Sequence, residues 1–279
     1  MRVSVAANLE EALADPAAVP IAGGTDLMVA INFGRERPQD LVSTRGLAEL
    51  SEVRVGDLVS CGGGVTYTRL LESLGSHSPA MVDAARTIGS PQIRNAGTIG
   101  GNLGTCSPAG DTLPVLAALD ATVVLATRAG DRRVPFAQYM FGPRKSARAP
   151  GELVRAVEWS DAGGSQAFLK AGTRNAMVIA VANLAMVIDR RRRVVRVALG
   201  SVGPVILRAV EAEAFASGIL DESGWERPIS AGDAALAHFG DLAASASQPI
   251  DDQRGTSAYR RHIVAVMARR ALARTGATL

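Results

Sequence analysis

Twenty-nine of the 279 residues are glycine, and they crowd into one stretch: CGGG at 61–64, TIGS at 87–90, GTIGGNLG at 97–104 and SPAGD at 107–111. A residue without a Cβ lets the backbone turn sharply and lets another molecule come close. Glycines bunched between predicted helices and strands therefore point to a ligand held by backbone. A further pair, Gly23-Gly24, lies upstream in IAGGTD, after an apolar strand and before a helix. Neither pair has the form of a common nucleotide motif. No G-x-G-x-x-G follows a strand, and neither lysine, Lys145 nor Lys170, stands where a P-loop requires one. A Rossmann fold and a P-loop are not expected.

Thirty basic against 27 acidic residues leave a net charge of +3, a small excess for a nucleic-acid partner despite a pI of about 9.2. The one dense basic run, Arg190 to Arg193, falls between two β-type segments and reads as a solvated hairpin turn. Two cysteines, Cys61 and Cys106, cannot by themselves build an iron–sulfur cluster or a cysteine-rich zinc site, so any cluster must sit in a partner. His77, His238 and His262 are isolated from one another, and no G-x-S-x-G elbow is present, so neither a histidine metal site nor a serine hydrolase is expected. The opening MRVSVAANLEEALADP carries acids where a signal peptide needs an apolar core, and no apolar run nears the roughly 20 residues of a membrane span. The expectation is a soluble, cytoplasmic protein.

Three textures follow along the chain. Residues 1–55 alternate short patterns: a helix over Asn8 to Leu13, the strand VPIAG, a helix over Leu27 to Ile31 and the strand DLVS. Residues 56–163 hold the glycine clusters, with helices over Tyr67 to Leu74, Pro79 to Thr87 and Thr112 to Leu119, and strands at ATVVLAT and ELVRAVEW. Residues 164–279 open with the strand patterns FLKAG, MVIAVANLAMVID, VVRVALGSV and PVILRA. Helices at EAEAFAS, Ala231 to His238 and Ser257 to Arg274 follow. On the last helix Tyr259, Ile263, Val266 and Met267 form an apolar stripe, with Arg260, Arg261, Arg269 and Arg270 largely on the other side. Strands followed by helices make this an α+β domain.

The candidate chemistry sits at five places. Ala22-Gly23-Gly24-Thr25-Asp26 reads either as an ordinary turn with a helix cap or as an anion nest whose N–H groups face a phosphate. Thr98-Ile99-Gly100-Gly101-Asn102 repeats the paired glycines, and the two turns together suggest a diphosphate gripped from two sides. Asp111 begins an apolar helix, and both an N-cap and an acceptor for a ligand hydroxyl or ring N–H fit it. Lys170, one of only two lysines, is either an exposed strand-end residue or a cation facing an electron-rich ring. Cys106 is either a reactive thiol or a small buried residue beside the second turn.

Three stretches together resemble the FAD-binding medium subunit of the molybdenum hydroxylases, the xanthine dehydrogenase and carbon monoxide dehydrogenase family. They are IAGGTDLMVAINFGRERPQDLV, TIGSPQIRNAGTIGGNLGTCSPAGDTLPVLAALDATVVL and DDQRGTSAYRRHIVAVMARRAL. The resemblance runs over nearly the whole chain in family order. It implies an α+β fold: a two-subdomain FAD-binding domain similar to the vanillyl-alcohol oxidase type, then a C-terminal domain with an antiparallel sheet and helices. The divisions fall at 1–55, 56–163 and 164–279, with non-covalent FAD between the domains.

The same resemblance implies the site. The first diphosphate loop falls on Ala22, Gly23, Gly24, Thr25 and Asp26, and the second on Thr98, Ile99, Gly100, Gly101 and Asn102. Asp111 takes the place of the family's acidic contact. Ile88 and Leu153 fall at apolar positions that touch the cofactor, and Lys170 lies at, or one position from, a lysine near the isoalloxazine. Asp251, Arg254, Gly255, Tyr259 and Arg260 match a C-terminal signature that reads as structural or interfacial. No catalytic residue and no metal ligand is assigned. Two departures stand out: Trp159 replaces a common proline, and the short N-terminal segment leaves the first strand in doubt.

The implied activity is relay, that of an FAD-dependent oxidoreductase subunit of a molybdopterin-containing dehydrogenase. A large molybdopterin subunit would hydroxylate the substrate, and a small subunit with two 2Fe–2S clusters would pass single electrons. FAD, which couples one-electron to two-electron steps, would hand them to NAD, a quinone, oxygen or another acceptor. The expected assembly is a heterotrimer, doubled to a heterohexamer, with no nucleic acid and no membrane span. The alternative is a stand-alone FAD-dependent oxidase or reductase.

Overall fold

The computed structural model describes residues 1–229 and 231–277. The chain opens with β1 (Arg2–Val5), α1 (Leu9–Ala12), β2 (Val19–Ile21), α2 (Leu27–Asn32) and β3 (Asp40–Ser43). Next come β4 (Val53–Arg54), β5 (Leu58–Gly62), α3 (Tyr67–Ser73), α4 (Pro79–Thr87), α5 (Pro91–Ala96), α6 (Ile99–Thr105) and α7 (Thr112–Ala118). Then follow β6 (Thr122–Thr127), β7 (Gly130–Pro135), β8 (Met140–Gly142), β9 (Lys145–Ser146) and β10 (Leu153–Ser160). The last part holds β11 (Gln166–Ala171), β12 (Ala182–Asp189), β13 (Val194–Gly200), β14 (Leu207–Arg208), α8 (Val210–Ser223), α9 (Asp233–Ser245) and α10 (Ser257–Gly276).

The fold is α+β, and its contacts divide the chain into two units. Unit one gathers Met1–Ser73, Gly89–Ser107 and Asp120–Ser160. Unit two gathers Leu74–Ile88, Pro108–Leu119 and the chain from Asp161 onward, so α4 and α7 belong with the C-terminal sheet.

Unit one holds two sheets. Strands β1, β3 and β2 form a parallel sheet in that order, so the first strand, in doubt from sequence, is present. Strands β4, β5, β10, β6 and β7 form an antiparallel one. Val42, Leu47 and Leu50 share a core with Ala126 and Leu153, which joins the two sheets. Each leucine so buried stabilises by roughly 1.5–3 kcal/mol. Trp159, the departure from the family pattern, is buried in β10 opposite Val59.

Helix α6 is the least expected element. Its sequence, IGGNLGT, carries three glycines, each disfavoured in a helix by about 1 kcal/mol against alanine. Two features hold it: the Thr98 hydroxyl accepts the Gly101 amide at 2.9 Å, and Ile99 and Leu103 are fully buried. What the sequence presents as a glycine turn is thus the first turn of a helix.

Unit two is built on the antiparallel sheet β11-β12-β13-β14, with Lys170 opposite Asn183 and Asn183 opposite Gly200. Every residue of β12 is buried. Leu184, Met186 and Ile188 join one core with residues of α8, α9 and α10. Asn183, alternating to the other face, meets the start of α7.

Here several expectations are corrected. Strand β12 starts at Ala182, not near Met177, which has a positive φ of 50°, and β14 is only two residues long. The helix at EAEAFAS extends over Val210–Ser223. On α10, Arg260 belongs to the buried face, and Tyr259 is exposed. The Arg260 guanidinium donates from its two terminal nitrogens to the carbonyls of Val181 (2.9 Å) and Ser201 (2.6 Å) and to Asp252 (2.6 Å), so its charge is paired in the interior although its Nε has no hydrogen-bond partner among the described residues. The Arg190–Arg193 turn is not simply solvated either. Arg190 donates to the carbonyls of Trp225 (2.5 Å) and Arg227 (2.8 Å), and Arg192 pairs with Asp189 at 2.7 Å.

Candidate functional site

The two glycine segments come together in unit one. A Cβ on Gly23 would lie 1.8 Å from the Ala96 carbonyl oxygen, so the first turn rests directly on the backbone that leads into α6. Beside this contact opens a cleft of about 330 Å³, lined by Ala22 to Asp26, by Thr98 and Gly100 to Asn102, and by Leu153. Ile99 does not line it, since its side chain anchors α6 in the core.

The two segments offer different chemistry. Around α6 the amides are already bonded: Ile99 to Val65 O, Gly100 to Gly63 O, Gly101 to Thr98 Oγ1 and Asn102 to Thr98 O. What Gly101 presents is bare backbone, because a Cβ there would meet only Thr98 Oγ1 at 3.1 Å. The first turn is the reverse. The amides of Gly23, Gly24, Thr25 and Asp26 make no hydrogen bond to any described residue, and Gly24 has a φ of 68° that favours glycine. Asp26 stands at the start of α2 without capping it, and its Oδ2 accepts from Thr105 Oγ1 at 3.3 Å.

Two residues missed from sequence also line the cleft, Arg144 and Arg148. Arg144 pairs with Glu36. Arg148 donates to the Glu152 carbonyl at 2.9 Å and pairs with no carboxylate among the described residues. Glu152 itself is taken by Arg132 at 2.7 Å; burial opposes its charge, but Arg132 and the Ala149 amide outweigh burial and hold it below the usual carboxylate range. The signal was there in RKSAR, three basic residues in five, but nothing local says which one lacks an acidic partner.

In unit two the remaining candidates form a buried network. Lys170 Nζ lies 2.5 Å from Asp111 Oδ2 and 3.3 Å from the Thr87 carbonyl oxygen. Asn183 Nδ2 donates to Asp111 Oδ1 at 2.8 Å, and Thr87 Oγ1 lies 3.4 Å from Oδ2. The Lys170 side chain is 8% exposed and that of Asp111 6%, which rules out the exposed strand-end lysine. Asp111 stands at the head of α7 but makes no side-chain cap bond, so the N-cap alternative is set aside too. Burial pushes its carboxyl upward, against the charge of Lys170 and the hydrogen bonds of Lys170, Asn183 and Thr87. Ile88 follows Thr87 at the end of α4, half-buried and extended. Asn183 carried no sequence signal.

Both thiols are inert by environment: burial pushes Cys61 up to about 12 and Cys106 up to about 11, so Cys106 is the small buried residue rather than the reactive one. Among the described residues no three His, Cys, Asp or Glu side chains are grouped to hold a metal, and no helix is long and apolar enough to cross a membrane.

The cleft offers open amides, glycine backbone and arginine side chains, features that suit an anionic ligand, and comparison with known proteins gives the family. Residues 1–159 match the family model for the FAD binding domain in molybdopterin dehydrogenase, and residues 167–275 match that for the CO dehydrogenase flavoprotein C-terminal domain. The glyceraldehyde dehydrogenase medium chain of Sulfolobus acidocaldarius is 31% identical over 90% of this chain and 88% of its own length. The nicotinate dehydrogenase FAD-subunit of Eubacterium barkeri is 38% identical, over 58% of this chain and 57% of its own. A reconstituted CO dehydrogenase structure from Oligotropha carboxidovorans superposes with a TM-score of 0.88 at 27% identity, over 100% of this chain and 98% of that one. The chain therefore belongs to the FAD-binding medium subunits of the molybdenum hydroxylases, the xanthine dehydrogenase and CO dehydrogenase family. It is an FAD-dependent oxidoreductase subunit.

The residues present fit that cofactor. Free amides, bare glycine backbone and an unpaired guanidinium are what a diphosphate requires. The cleft volume is at the low end for ligand pockets, room for part of a dinucleotide.

Proposed function

We propose that this chain is the electron-transferring member of a heterotrimeric molybdenum hydroxylase. It would take electrons from the 2Fe–2S clusters of a small subunit, while a large subunit carries molybdopterin and the substrate chemistry. The acceptor is NAD, a quinone, oxygen or another carrier, and the complex works in the cytoplasm. The observation that carries this reading is the cleft in unit one, where the open amides of Gly23 to Asp26, the bare backbone of Gly101 and the cation of Arg148 converge.

In this reading the segments Ala22–Asp26 and Thr98–Asn102 and the residue Leu153 hold the diphosphate half of FAD, with Arg148 offsetting its charge. Ile88, Asp111 and Lys170 act on the flavin half, where Lys170 supplies a fixed positive charge in a dry setting. FAD, when bound, supplies the exchange between one-electron and two-electron steps. We keep the division at 1–55, 56–163 and 164–279 as part of the proposal.

The test is native purification followed by a visible spectrum. Flavin bands overlaid with iron–sulfur absorbance, and two further polypeptides, are expected. Flavin in a lone chain would replace the relay with a stand-alone oxidase or reductase. A colourless protein that refuses added FAD would overturn the cleft assignment.

A further inference from the structure

Resting on the reading that Asp111 and Lys170 act on FAD, we infer that Asn183 is a positioning residue for that pair, and that Gly200 is glycine to make room for it. Asn183 is fully buried in the central strand of unit two, a place where an apolar side chain would pack without cost. Instead its Nδ2 donates to Asp111 Oδ1 at 2.8 Å, while Lys170 takes Oδ2 at 2.5 Å, so each carboxylate oxygen has its own donor. The opposite amide orientation would set oxygen against oxygen. Holding this orientation leaves Asn183 Oδ1 buried with no hydrogen-bond partner, a cost that a residue serving only to fill space would not carry.

Gly200 lies directly across the ladder from Asn183. A Cβ there would stand 2.1 Å from Asn183 Oδ1 and 3.2 Å from the Pro108 carbonyl oxygen. Any larger residue would push the amide off Asp111. The chain of contacts then continues outward: Asp111 fixes Lys170, and Lys170 holds the Thr87 carbonyl one residue before Ile88. Asn183 thereby governs where three of the proposed flavin contacts stand. The other charged groups on neighbouring elements are matched separately, Arg260 by Asp252 and two carbonyls, and Arg274 by Asp83.

The test compares Asn183→Asp, Asn183→Leu and Gly200→Ala with the wild-type full chain, with Lys170→Met as reference. FAD affinity is read by fluorescence titration at several pH values. In Asn183→Asp the introduced carboxyl, when protonated, donates to Asp111 as the amide did; when ionised, it repels it. The FAD affinity of this variant relative to wild type should fall by about tenfold at about pH 9 and recover at about pH 6. Asn183→Leu and Gly200→Ala, which add no titratable group, should bind more weakly at both. A pH-independent ratio for Asn183→Asp, or wild-type affinity in Asn183→Leu and Gly200→Ala while Lys170→Met binds weakly, would overturn the inference. Thermal unfolding without FAD separates it from the reading on which it rests. If the melting temperature of Asn183→Asp, relative to wild type, falls with rising pH but neither it nor Lys170→Met changes FAD affinity, the pair stands as structure and its role toward FAD is what fails.

Discussion

The candidate site residues of unit one present backbone, and those of unit two present side chains. In the cleft of unit one the ligand surface consists of amides and Cα atoms left bare by glycine, so almost any added atom is an intrusion. In unit two, Asp111 receives hydrogen bonds from Lys170, Asn183 and Thr87 in the interior, so removing any of these donors leaves a buried carboxylate oxygen short of a partner. A backbone site is sensitive to what is put in. A side-chain network is sensitive to what is taken out.

The strongest way to break this contrast is Gly23→Ala. Its Cβ would meet the Ala96 carbonyl oxygen at 1.8 Å, so the expected outcome is loss of more than about 4 kcal/mol or failure to fold, read by calorimetry. If the variant melts like wild type, Gly23 does not seat the first turn on α5. Lys170→Met comes next: one partner of a buried pair removed costs about 3–5 kcal/mol, and adding Asp111→Asn should recover most of it. The sign with pH is fixed by Asp111. A carboxyl whose folded value is raised holds more protons folded than unfolded, so the stability of Lys170→Met should fall as pH rises through that value. A deficit that does not vary with pH would mean that Asp111 is not the group left exposed to burial.

The third comparison sharpens the cleft itself. Gly101→Val faces open space apart from Thr98 Oγ1, so it should fold and melt near wild type yet bind FAD about a hundredfold more weakly, the equivalent of two lost charge-assisted bonds. Arg148→Met should cost about tenfold, one such bond. Unchanged FAD stoichiometry and affinity in both would move the diphosphate elsewhere.

The contrast also explains what could be read in advance. Glycine motifs announce backbone sites locally, and Pro79, which starts α4, announces a helix in the same way. Most helices, the strands β2 and β3 and the hairpin of β12 with β13 followed from short-range pattern, whereas the parallel pairing around β1 and the strand β7 did not. Helix α6 did not, because its glycines argue against helix and its support comes from burial of Ile99 and Leu103. Arg260 and Lys170 were placed outside, or half outside, for one reason: periodicity counts charge as surface, while the carbonyls and carboxylates that receive these cations come from distant strands. Asn183 was invisible, and Arg148 could not be singled out within RKSAR, because their meaning lies in partners, present in one case and missing in the other.

The placement of α4 and α7 in unit two has a consequence in time. Both helices are synthesised well before the sheet they pack on, and Asp111 precedes Lys170 by 59 residues and Asn183 by 72. At about 5–20 residues per second, the nascent chain carries Asp111 for several seconds before its partners leave the ribosome. Within that interval unit one is itself completed, when its middle strand β10 (Leu153–Ser160) is made, while the segments Leu74–Ile88 and Pro108–Leu119 still await the strands they pack on. The order of translation thus leaves Asp111 without Lys170 and Asn183 until after the last strand of unit one has been made.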